Sequence, residues 1–325
     1  MRVSSAAGCG VRRRRVGVTA LVPPELIYAC GCTALDLNNL VPESRVQPAE
    51  KLCAWSAVWR ELLLRGVVEV DALVVVAGGD CYTSLVDAQR VELSGIPAHH
   101  FAYSFTGERG FLEEQLRALA GFLGEPEEGV MDEVAELKGL AMEVHRLRER
   151  GEVDPVTGFR VEVAASDLMG SPERYREVLE GVEEVEQGYE HRVALLGIPP
   201  IYSDFHALLA ELGMLVVFDE MPYEFVRHTG RSIPELAGAY SGYTFALHLR
   251  RRLEFLRREL RRHRVEAAVH FQQYACHHRL EDSLLRGLCG ELGIPCLSVE
   301  ADLPGRTPEQ VRLRLEAFAE RLGEV

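Results

Sequence analysis

The chain has 325 residues, which is long for one hydrophobic core and comfortable for two domains of ordinary size. Hydrophobic residues make up 47% of it and charged residues 26%, a composition typical of a soluble globular protein. The formal net charge of −14 at pH 7 would repel phosphate backbones, so we expect no nucleic-acid partner. No apolar run reaches the roughly 18 residues of a membrane span, so we expect no membrane segment.

The N-terminal stretch 1–15 is rich in glycine, serine and arginine without periodicity, and we expect it to be a flexible tail. The apolar run after it is interrupted by Pro23-Pro24 and has no small-residue cleavage site, which favours a cytoplasmic protein over a secreted one. In the cytoplasm the eight cysteines are expected to be core thiols, metal ligands or redox groups, because a disulfide framework is unusual there.

Residues 16–125 are predicted to form an N-terminal α/β domain. Its first part, Val16–Asn39, reads as a strand, a Pro-Pro pair, a short helix and a second strand. Next, Pro48–Gly66 has apolar residues at helical spacing and ends on a glycine, which predicts a helix. Cys53 falls near the start of that helix.

The N-terminal domain continues with another β-α-β unit, whereas the segment after the domain is helical. Asp71–Ser104 reads as a β-α-β unit with Cys81 in the turn after its first strand. Over residues 126–190, long charged amphipathic helices replace the strands, with predicted bounds of Asp132–Arg150 and Pro172–Glu190. This segment is predicted to be a helical connector.

The C-terminal segment 191–325 repeats the pattern of the first half. Val193–Glu220 again reads as strand, Pro-Pro, helix and strand, and Val265–Asp302 is again a β-α-β unit, with Cys276 in its turn. Cys276 is therefore the positional equivalent of Cys81. The predicted fold class is α/β, with two Rossmann-like parallel-sheet halves, a duplicated unit, joined by the helical connector. Loops at the carboxyl ends of parallel strands carry ligands, so both cysteines are expected in one cleft.

Cys53, Cys81 and Cys276 are the main candidates for a metal site, since one is expected at a helix start and two at equivalent strand ends. Thiolates near helix N-termini are stabilised by unpaired backbone N–H groups. Three of them suit an iron–sulfur cluster with one iron open for substrate, or a zinc ion with water in the fourth position. Buried core cysteines without a metal are an equal alternative, because no CxxC spacing marks the set.

Several short motifs spread over nearly the whole chain carry a resemblance to one family. They are Pro24-Glu25-Leu26-Ile27, Asp36-Leu37-Asn38-Asn39, Cys53-Ala54-Trp55, Gly79-Asp80-Cys81, Gly197-Ile198-Pro199-Pro200, Asp219-Glu220, the set His270, Gln273, Cys276, His277, Glu281 and Asp282, then Glu300-Ala301-Asp302-Leu303-Pro304-Gly305 and Arg312 to Phe318. In combination they resemble the catalytic components of 2-hydroxyacyl-CoA dehydratases and benzoyl-CoA reductases, such as the D-component of 2-hydroxyglutaryl-CoA dehydratase.

The resemblance implies an oxygen-sensitive [4Fe–4S] cluster on Cys53, Cys81 and Cys276. It also implies an ATP-hydrolysing iron–sulfur activator protein that delivers one electron at very low potential. The substrate implied is an acyl-CoA thioester, whose carbonyl becomes a ketyl radical and so permits loss of water or reduction of a ring. The dehydratases pair two related subunits, so we expect a heterodimer, or a homodimer with another reductive task.

Two further cysteines, Cys30 and Cys32, stand where small apolar residues are expected in many relatives. They are predicted either to pack near a helix end or to be extra ligands of a larger or second cluster, as in double-cubane members of the family. His277 is predicted to donate a hydrogen bond to cluster sulfur or to be a catalytic proton donor. Asp80 and Glu281 are predicted to be a turn group and a helix cap.

The helix predicted at 247–264 has a strongly basic face, interpreted as a solvated surface or as a docking surface for CoA phosphates or an activator. The leading functional prediction is an enzyme similar to 2-hydroxyacyl-CoA dehydratase or benzoyl-CoA reductase. The alternatives are a double-cubane-type reductase of small molecules, a non-catalytic electron carrier or scaffold that bears a cluster, and, least favoured, a zinc hydrolase.

Overall fold

The computed structural model describes residues 12–185 and 187–324, and these contain two four-stranded sheets that are entirely parallel. The first sheet has the order β2-β1-β3-β4 and the second the order β6-β5-β7-β8. The strands are β1 Arg15–Val18, β2 Thr33–Asp36, β3 Ala72–Gly78, β4 Ala98–Ala102, β5 His191–Gly197, β6 Met214–Asp219, β7 Ala267–Gln273 and β8 Cys296–Ala301. The matching strand orders confirm the predicted α/β fold with two Rossmann-like halves.

Helices flank both sheets. Their bounds are α1 Pro24–Ala29, α2 Ala54–Leu64, α3 Tyr82–Glu92, α4 Arg109–Leu123, α5 Glu128–Arg150, α6 Pro155–Ala164, α7 Pro172–Glu180, α8 Phe205–Glu211, α9 Glu220–Arg227, α10 Ile233–Tyr240, α11 Leu249–Arg262, α12 Asp282–Glu291 and α13 Glu309–Gly323. No helix within the described ranges has both the length and the apolar character needed to cross a membrane. Residues 1–11 of the predicted tail lie outside the described residues, and Arg15 already belongs to β1.

Burial on both faces explains why the strands read as apolar runs. Every residue of β6 and of β7 is buried, as expected for parallel strands covered by helices on each side. The polar residues of β7 are therefore paired inside the protein. Nδ1 of His270 lies 2.8 Å from Oδ1 of Asp282, and the side-chain amide of Gln273 donates to the backbone oxygen of Asp302 at 2.7 Å.

The three largest differences from the predicted helices concern α2, α7 and α6. Helix α2 begins at Ala54 and not near Pro48, because the Arg60 guanidinium binds the Glu50 carbonyl at 2.7 Å and holds that segment outside the helix. Helix α7 ends at Glu180, with Gly181 as its C-cap, and does not extend to residue 190.

The third difference is α6, which the connector prediction omitted. Its N-cap Asp154 accepts a hydrogen bond from the Thr157 N–H at 2.8 Å, and Pro155 occupies the first helical position. An aspartate followed by a proline is a recognised helix start, so the Asp-Pro pair was the signal that could have revealed this helix.

A buried ionic network ties the two sheets to the connector. The Lys138 ammonium on α5 lies 3.3 Å from Oε1 of Glu25 on α1 and donates to the Tyr240 hydroxyl of α10 at 2.6 Å. Tyr240 in turn donates to Glu25 at 2.9 Å. All three side chains are buried, so each charged or polar group depends on the others for its solvation. One hydrophobic cluster likewise includes residues of both sheets and of α5.

Candidate metal centre

The three predicted metal-binding cysteines all lie at helix N-termini. Cys53 is the N-cap of α2, and Cys81 is the N-cap of α3 just after β3. Cys276 follows β7 and precedes a 3₁₀ turn at His277–Glu281. Because β3 and β7 hold equivalent places in the two sheets, Cys81 and Cys276 occupy equivalent positions at carboxyl strand ends.

The loop that carries Cys53 is held against the second sheet by an ion pair. The Lys51 ammonium lies 2.7 Å from the Asp302 carboxylate, which directly follows β8. Asp302 also accepts, through its backbone oxygen, the hydrogen bond from Gln273 at the end of β7. These contacts bring the Cys53 loop to the carboxyl edge of β7 and β8, where the Cys276 loop begins.

One contact joins the loops of Cys81 and Cys276, and a second joins the Cys81 loop to the segment between α10 and α11. The ring of Tyr82, next to Cys81, lies 6.0 Å from the ring of His277, next to Cys276. One residue before Cys81, the Asp80 carboxylate accepts a hydrogen bond from the Tyr243 hydroxyl at 2.9 Å. The side chain of Asp80 is therefore satisfied by the other half of the molecule.

The electrostatics also indicate one shared site. Burial raises the pKa of the Cys81 thiol, and the nearby charges of Asp80, Cys53 and Cys276 raise it further, against the Ser84 N–H, which lowers it. Burial likewise raises the pKa of Cys276 to about 12, with Cys53 as another contributor. The Cys53 thiol also has a pKa raised by burial. A metal centre beside these three thiols would supply positive charge that favours their ionisation.

The spacing of the sulfurs bears on which metal centre fits. Within residues 12–185 and 187–324, the three cysteine sulfurs do not all lie within 4.8 Å of one another. Three sulfurs on one tetrahedral zinc ion would be about 3.8 Å apart, given Zn–S bonds of about 2.3 Å. The three sulfurs are therefore not arranged as the ligands of a single zinc ion.

Backbone N–H groups complete the fit to an anionic centre. The Trp55 and Ser56 N–H groups lower the pKa of Cys53, although its burial outweighs them. The Ser84 N–H donates to the Cys81 sulfur at 3.4 Å, and the His278 N–H lowers the pKa of Cys276. Each cysteine thus brings at least one helix-start N–H, which stabilises negative charge on sulfur.

Cys30 and Cys32 lie elsewhere. Cys30 is the C-cap of α1, and Cys32 directly precedes β2, so both are at the amino edge of the first sheet. Cys81 is at the carboxyl edge, on the order of 20 Å away along the strand direction. The Cys32 thiol is buried and donates to the Cys30 carbonyl at 3.6 Å. These two cysteines therefore do not join the other three in one centre.

His277 is a neutral imidazole at pH 7. Burial and the neighbouring His278 lower the pKa of His277 to about 4. Since the ordinary histidine pKa is about 6.5, the folded protein disfavours the protonated ring over the whole range between these two values. His277 can donate a ring N–H in this state, but it does not carry a positive charge near neutral pH.

Glu281 does not have the capping role predicted for it. It directly precedes α12, but its side chain makes no cap hydrogen bond. Its carboxylate instead accepts from the Arg252 guanidinium, with Nδ1 of His278 at 3.1 Å from the other oxygen. The residue is thus part of a buried ionic network beneath the Cys276 loop.

Arg252 is the site residue that the sequence analysis missed. Its guanidinium binds both oxygens of Glu220, at 2.7 and 2.9 Å, and both side chains are buried. Its positive charge lowers the pKa of Cys276, against the larger effect of burial. Arg252 lies on the buried face of α11 with Leu256 and Leu260. In the sequence, Arg252 stands four and eight residues before Leu256 and Leu260. This helical spacing was the signal that could have placed Arg252 on the buried face.

A cavity of about 490 Å³ opens beside the Cys276 loop. Its lining includes Tyr202, Tyr274, Asp302 and Arg314. It therefore lies at the carboxyl ends of β7 and β8, the edge at which open α/β sheets bind small molecules.

Comparison with protein families shows which family the chain belongs to. The model described as "2-hydroxyglutaryl-CoA dehydratase, D-component" matches residues 19–322, which is nearly the whole chain. The chain belongs to this family. Comparison with curated individual proteins finds no match. The D-component family supports a dehydratase-like subunit as the coarse function, and it confirms the resemblance predicted from the motifs.

This D-component family member exposes large apolar side chains around its three cysteines. Leu52 precedes Cys53, Tyr82 follows Cys81, and Tyr274 and Leu280 flank Cys276; their exposed fractions are 59%, 66%, 49% and 85%. Apolar side chains exposed around a functional site are typical of surfaces that another protein covers.

Proposed function

We propose that the chain is a catalytic subunit of a 2-hydroxyacyl-CoA dehydratase-like enzyme, with a [4Fe–4S] cluster held by Cys53, Cys81 and Cys276. The observation that carries the proposal is the convergence of three thiols, each at a helix start, from separate loops of a chain in the D-component family. When bound, such a cluster supplies a one-electron reductant and an open iron position for a thioester carbonyl.

The residues of the chain would hold and shield this centre. The helix-start N–H groups favour thiolate over thiol, and buried Arg252 adds positive charge below the Cys276 loop. The neutral imidazole of His277 offers an N–H at the mouth of the site, where it can orient a carbonyl oxygen or a cluster sulfur. Cys53 is buried and Cys81 and Cys276 are half-buried, so the surrounding loops would limit the access of water to the centre.

An acyl-CoA substrate fits the surroundings of the site. The 490 Å³ cavity next to the Cys276 loop suits an acyl group and part of a pantetheine chain. Arg250 and Arg251 begin the basic helix α11 and are both exposed. They lie on the side of the cysteine loops, since the segment just before α11 packs on the turn at Gly79. We assign CoA phosphates to these arginines because guanidinium groups bind phosphate bidentately.

The test is anaerobic purification followed by electron paramagnetic resonance with and without a 2-hydroxyacyl-CoA thioester. We expect about four iron atoms per chain and a reduced-cluster spectrum that changes when 2-hydroxyglutaryl-CoA is added. Acetyl-CoA, which lacks the 2-hydroxyl group, and the free 2-hydroxy acid are the matched controls. If the protein binds iron but its spectrum does not change with any thioester, it is an electron carrier or scaffold, and the catalytic proposal fails.

The partners of the proposed enzyme are an ATP-hydrolysing iron–sulfur activator and a second, related or identical, subunit. The apolar side chains around the cysteines supply the docking surface. Replacing Leu280 with glutamate is expected to leave iron content unchanged but to slow ATP-dependent reduction of the cluster by about tenfold or more, because a central interface contact is lost. Reduction is followed optically with purified activator.

Leu93→Glu is the matched control for this experiment. Leu93 is 89% exposed, close to the 85% of Leu280, but it is the C-cap of α3, about 18 Å along the helix from Cys81. We expect normal reduction in Leu93→Glu. Equal rates in the two variants would show that the surface around Leu280 is not where the activator docks.

A further inference from the structure

A second group of metal-ligand side chains lies away from the cysteines. It consists of His145, Glu149 and His263, and one ligand atom of each lies within 4.8 Å of the other two. Nδ1 of His263 is 3.3 Å from Oε1 of Glu149. Ligand atoms around a tetrahedral zinc ion are also about 3.3 Å apart, given bonds of about 2.0 Å. The spacing of these side chains is therefore close to that of ligands around one metal ion.

The backbone positions these groups at the ends of two helices. His145 and Glu149 are four residues apart on α5, so they share a face, and His263 is the C-cap of α11. Both helices direct the negative ends of their dipoles at the group, which favours a cation. The Arg192 guanidinium braces the two ends by donating to the backbone oxygens of Glu149 at 3.0 Å and His263 at 2.9 Å.

The histidine nitrogens that face the group have no hydrogen-bond partner. His145 and His263 are only 2% and 0% exposed. In the part of the chain that the structure describes, Nε2 of His145 and both ring nitrogens of His263 make no hydrogen bond. Buried polar atoms are nearly always satisfied, so the two orphaned nitrogens on the side of Glu149, Nε2 of His145 and Nδ1 of His263, indicate an absent partner.

The far side of each imidazole faces a carboxylate. Nδ1 of His145 lies 3.1 Å from Oε1 of Glu162, and Nε2 of His263 lies 3.6 Å from Oε2 of Glu259. A carboxylate behind each metal-bound histidine orients the ring and strengthens it as a ligand. The rings are also fixed by packing: His145 is 4.8 Å from the ring of Tyr223, and His263 is stacked on Phe218 at 5.2 Å.

The group is distinct from the cysteine site. His263 precedes β7, and Arg192 is near the start of β5, so the cluster lies at the amino edge of the second sheet. Cys276 follows the other end of β7, on the order of 20 Å away. No residue of the group contributes to the loops that carry the three cysteines.

We propose that His145, Glu149 and His263 bind one divalent metal ion, with zinc preferred by a donor set of two imidazoles and one carboxylate. The ion joins the C-terminal ends of α5 and α11. The Glu149 side chain is 25% exposed, so the remaining coordination position opens to solvent on its side. The competing arrangement is His263 paired with Glu149 and Glu259 and no metal.

The test is titration of chelator-treated full-length protein with Co²⁺ and Zn²⁺, read by visible absorption, calorimetry and thermal unfolding. We expect the wild type to bind one Co²⁺ ion at a site that shows d–d bands but no sulfur-to-cobalt charge-transfer band. Any Co²⁺ bound by the thiols would add to this. Glu149→Gln is expected to weaken this binding by about tenfold or more and to remove the metal-dependent rise in melting temperature.

Two comparison proteins decide the outcome. Glu143→Gln changes an exposed carboxylate on the same helix and is expected to bind as the wild type does. A variant with Cys53, Cys81 and Cys276 all replaced by serine is expected to retain the site, provided its circular dichroism matches the wild type. Equal affinity in Glu149→Gln and Glu143→Gln, loss of the site in the folded triple variant, or no nitrogen–oxygen site in the wild type would each overturn the proposal.

Discussion

Replacing Cys276 with serine is expected to reduce bound iron from about four atoms per chain to less than one after anaerobic purification. A cluster held by three cysteines depends on all of them, and the other cysteines of the described residues lie elsewhere. Cys30 and Cys32 are at the amino edge of the first sheet, and Cys289 on α12 pairs with Cys296 at the amino end of β8. Iron and acid-labile sulfide analysis, with electron paramagnetic resonance of the reduced protein, measures the effect.

Cys30→Ser is the matched control, because Cys30 is a half-buried thiol outside the predicted centre. It is expected to retain full iron content, whereas Cys53→Ser and Cys81→Ser are expected to behave like Cys276→Ser. A Cys276→Ser protein with a full complement of iron would show that the ligand assignment is wrong. Loss of iron in Cys30→Ser as well would point to a larger or second cluster.

Replacing Arg252 with alanine is expected to lower the free energy of unfolding by about 3–5 kcal/mol. The change leaves the Glu220 carboxylate, which is buried, without the guanidinium that binds both of its oxygens. It also removes one of the two partners of Glu281 and leaves it with His278. Urea unfolding of the iron-free protein, followed by far-ultraviolet circular dichroism, measures the shift in midpoint.

Arg257→Ala provides the comparison on the same helix. Arg257 pairs with Glu291 at the surface, where the two side chains are 39% and 65% exposed. Solvent screens such a pair, and its loss is expected to cost less than about 1 kcal/mol. If Arg252→Ala and Arg257→Ala unfold at the same urea concentration, the buried network does not raise the free energy of unfolding by the expected amount.

Much of the fold followed from local pattern. Apolar runs bounded by Pro-Pro and Gly-Ile-Pro predicted the strands, and the recurrence of the same order predicted the duplicated parallel sheets. The positions of Cys81 and Cys276 at strand ends came from the same reasoning, because a turn after an apolar run is a local feature. The helix start at Ala54 was mistaken because the hydrogen bond from Arg60 to Glu50, ten residues apart, keeps the preceding segment out of the helix. The start at Pro155 was missed although the Asp-Pro pair marks it locally.

The amino-acid sequence by itself determined the order of strands and helices, the family, and which cysteines follow equivalent strands, since each of these depends on residues near one another along the chain. The tertiary structure alone decided that Arg252 is buried, that Cys30 and Cys32 stand apart, and that two histidines from α5 and α11 meet at one carboxylate. These outcomes depend on contacts between residues more than 30 positions apart. Such contacts have no periodic signature, because burial and charge compensation are settled only when the elements pack.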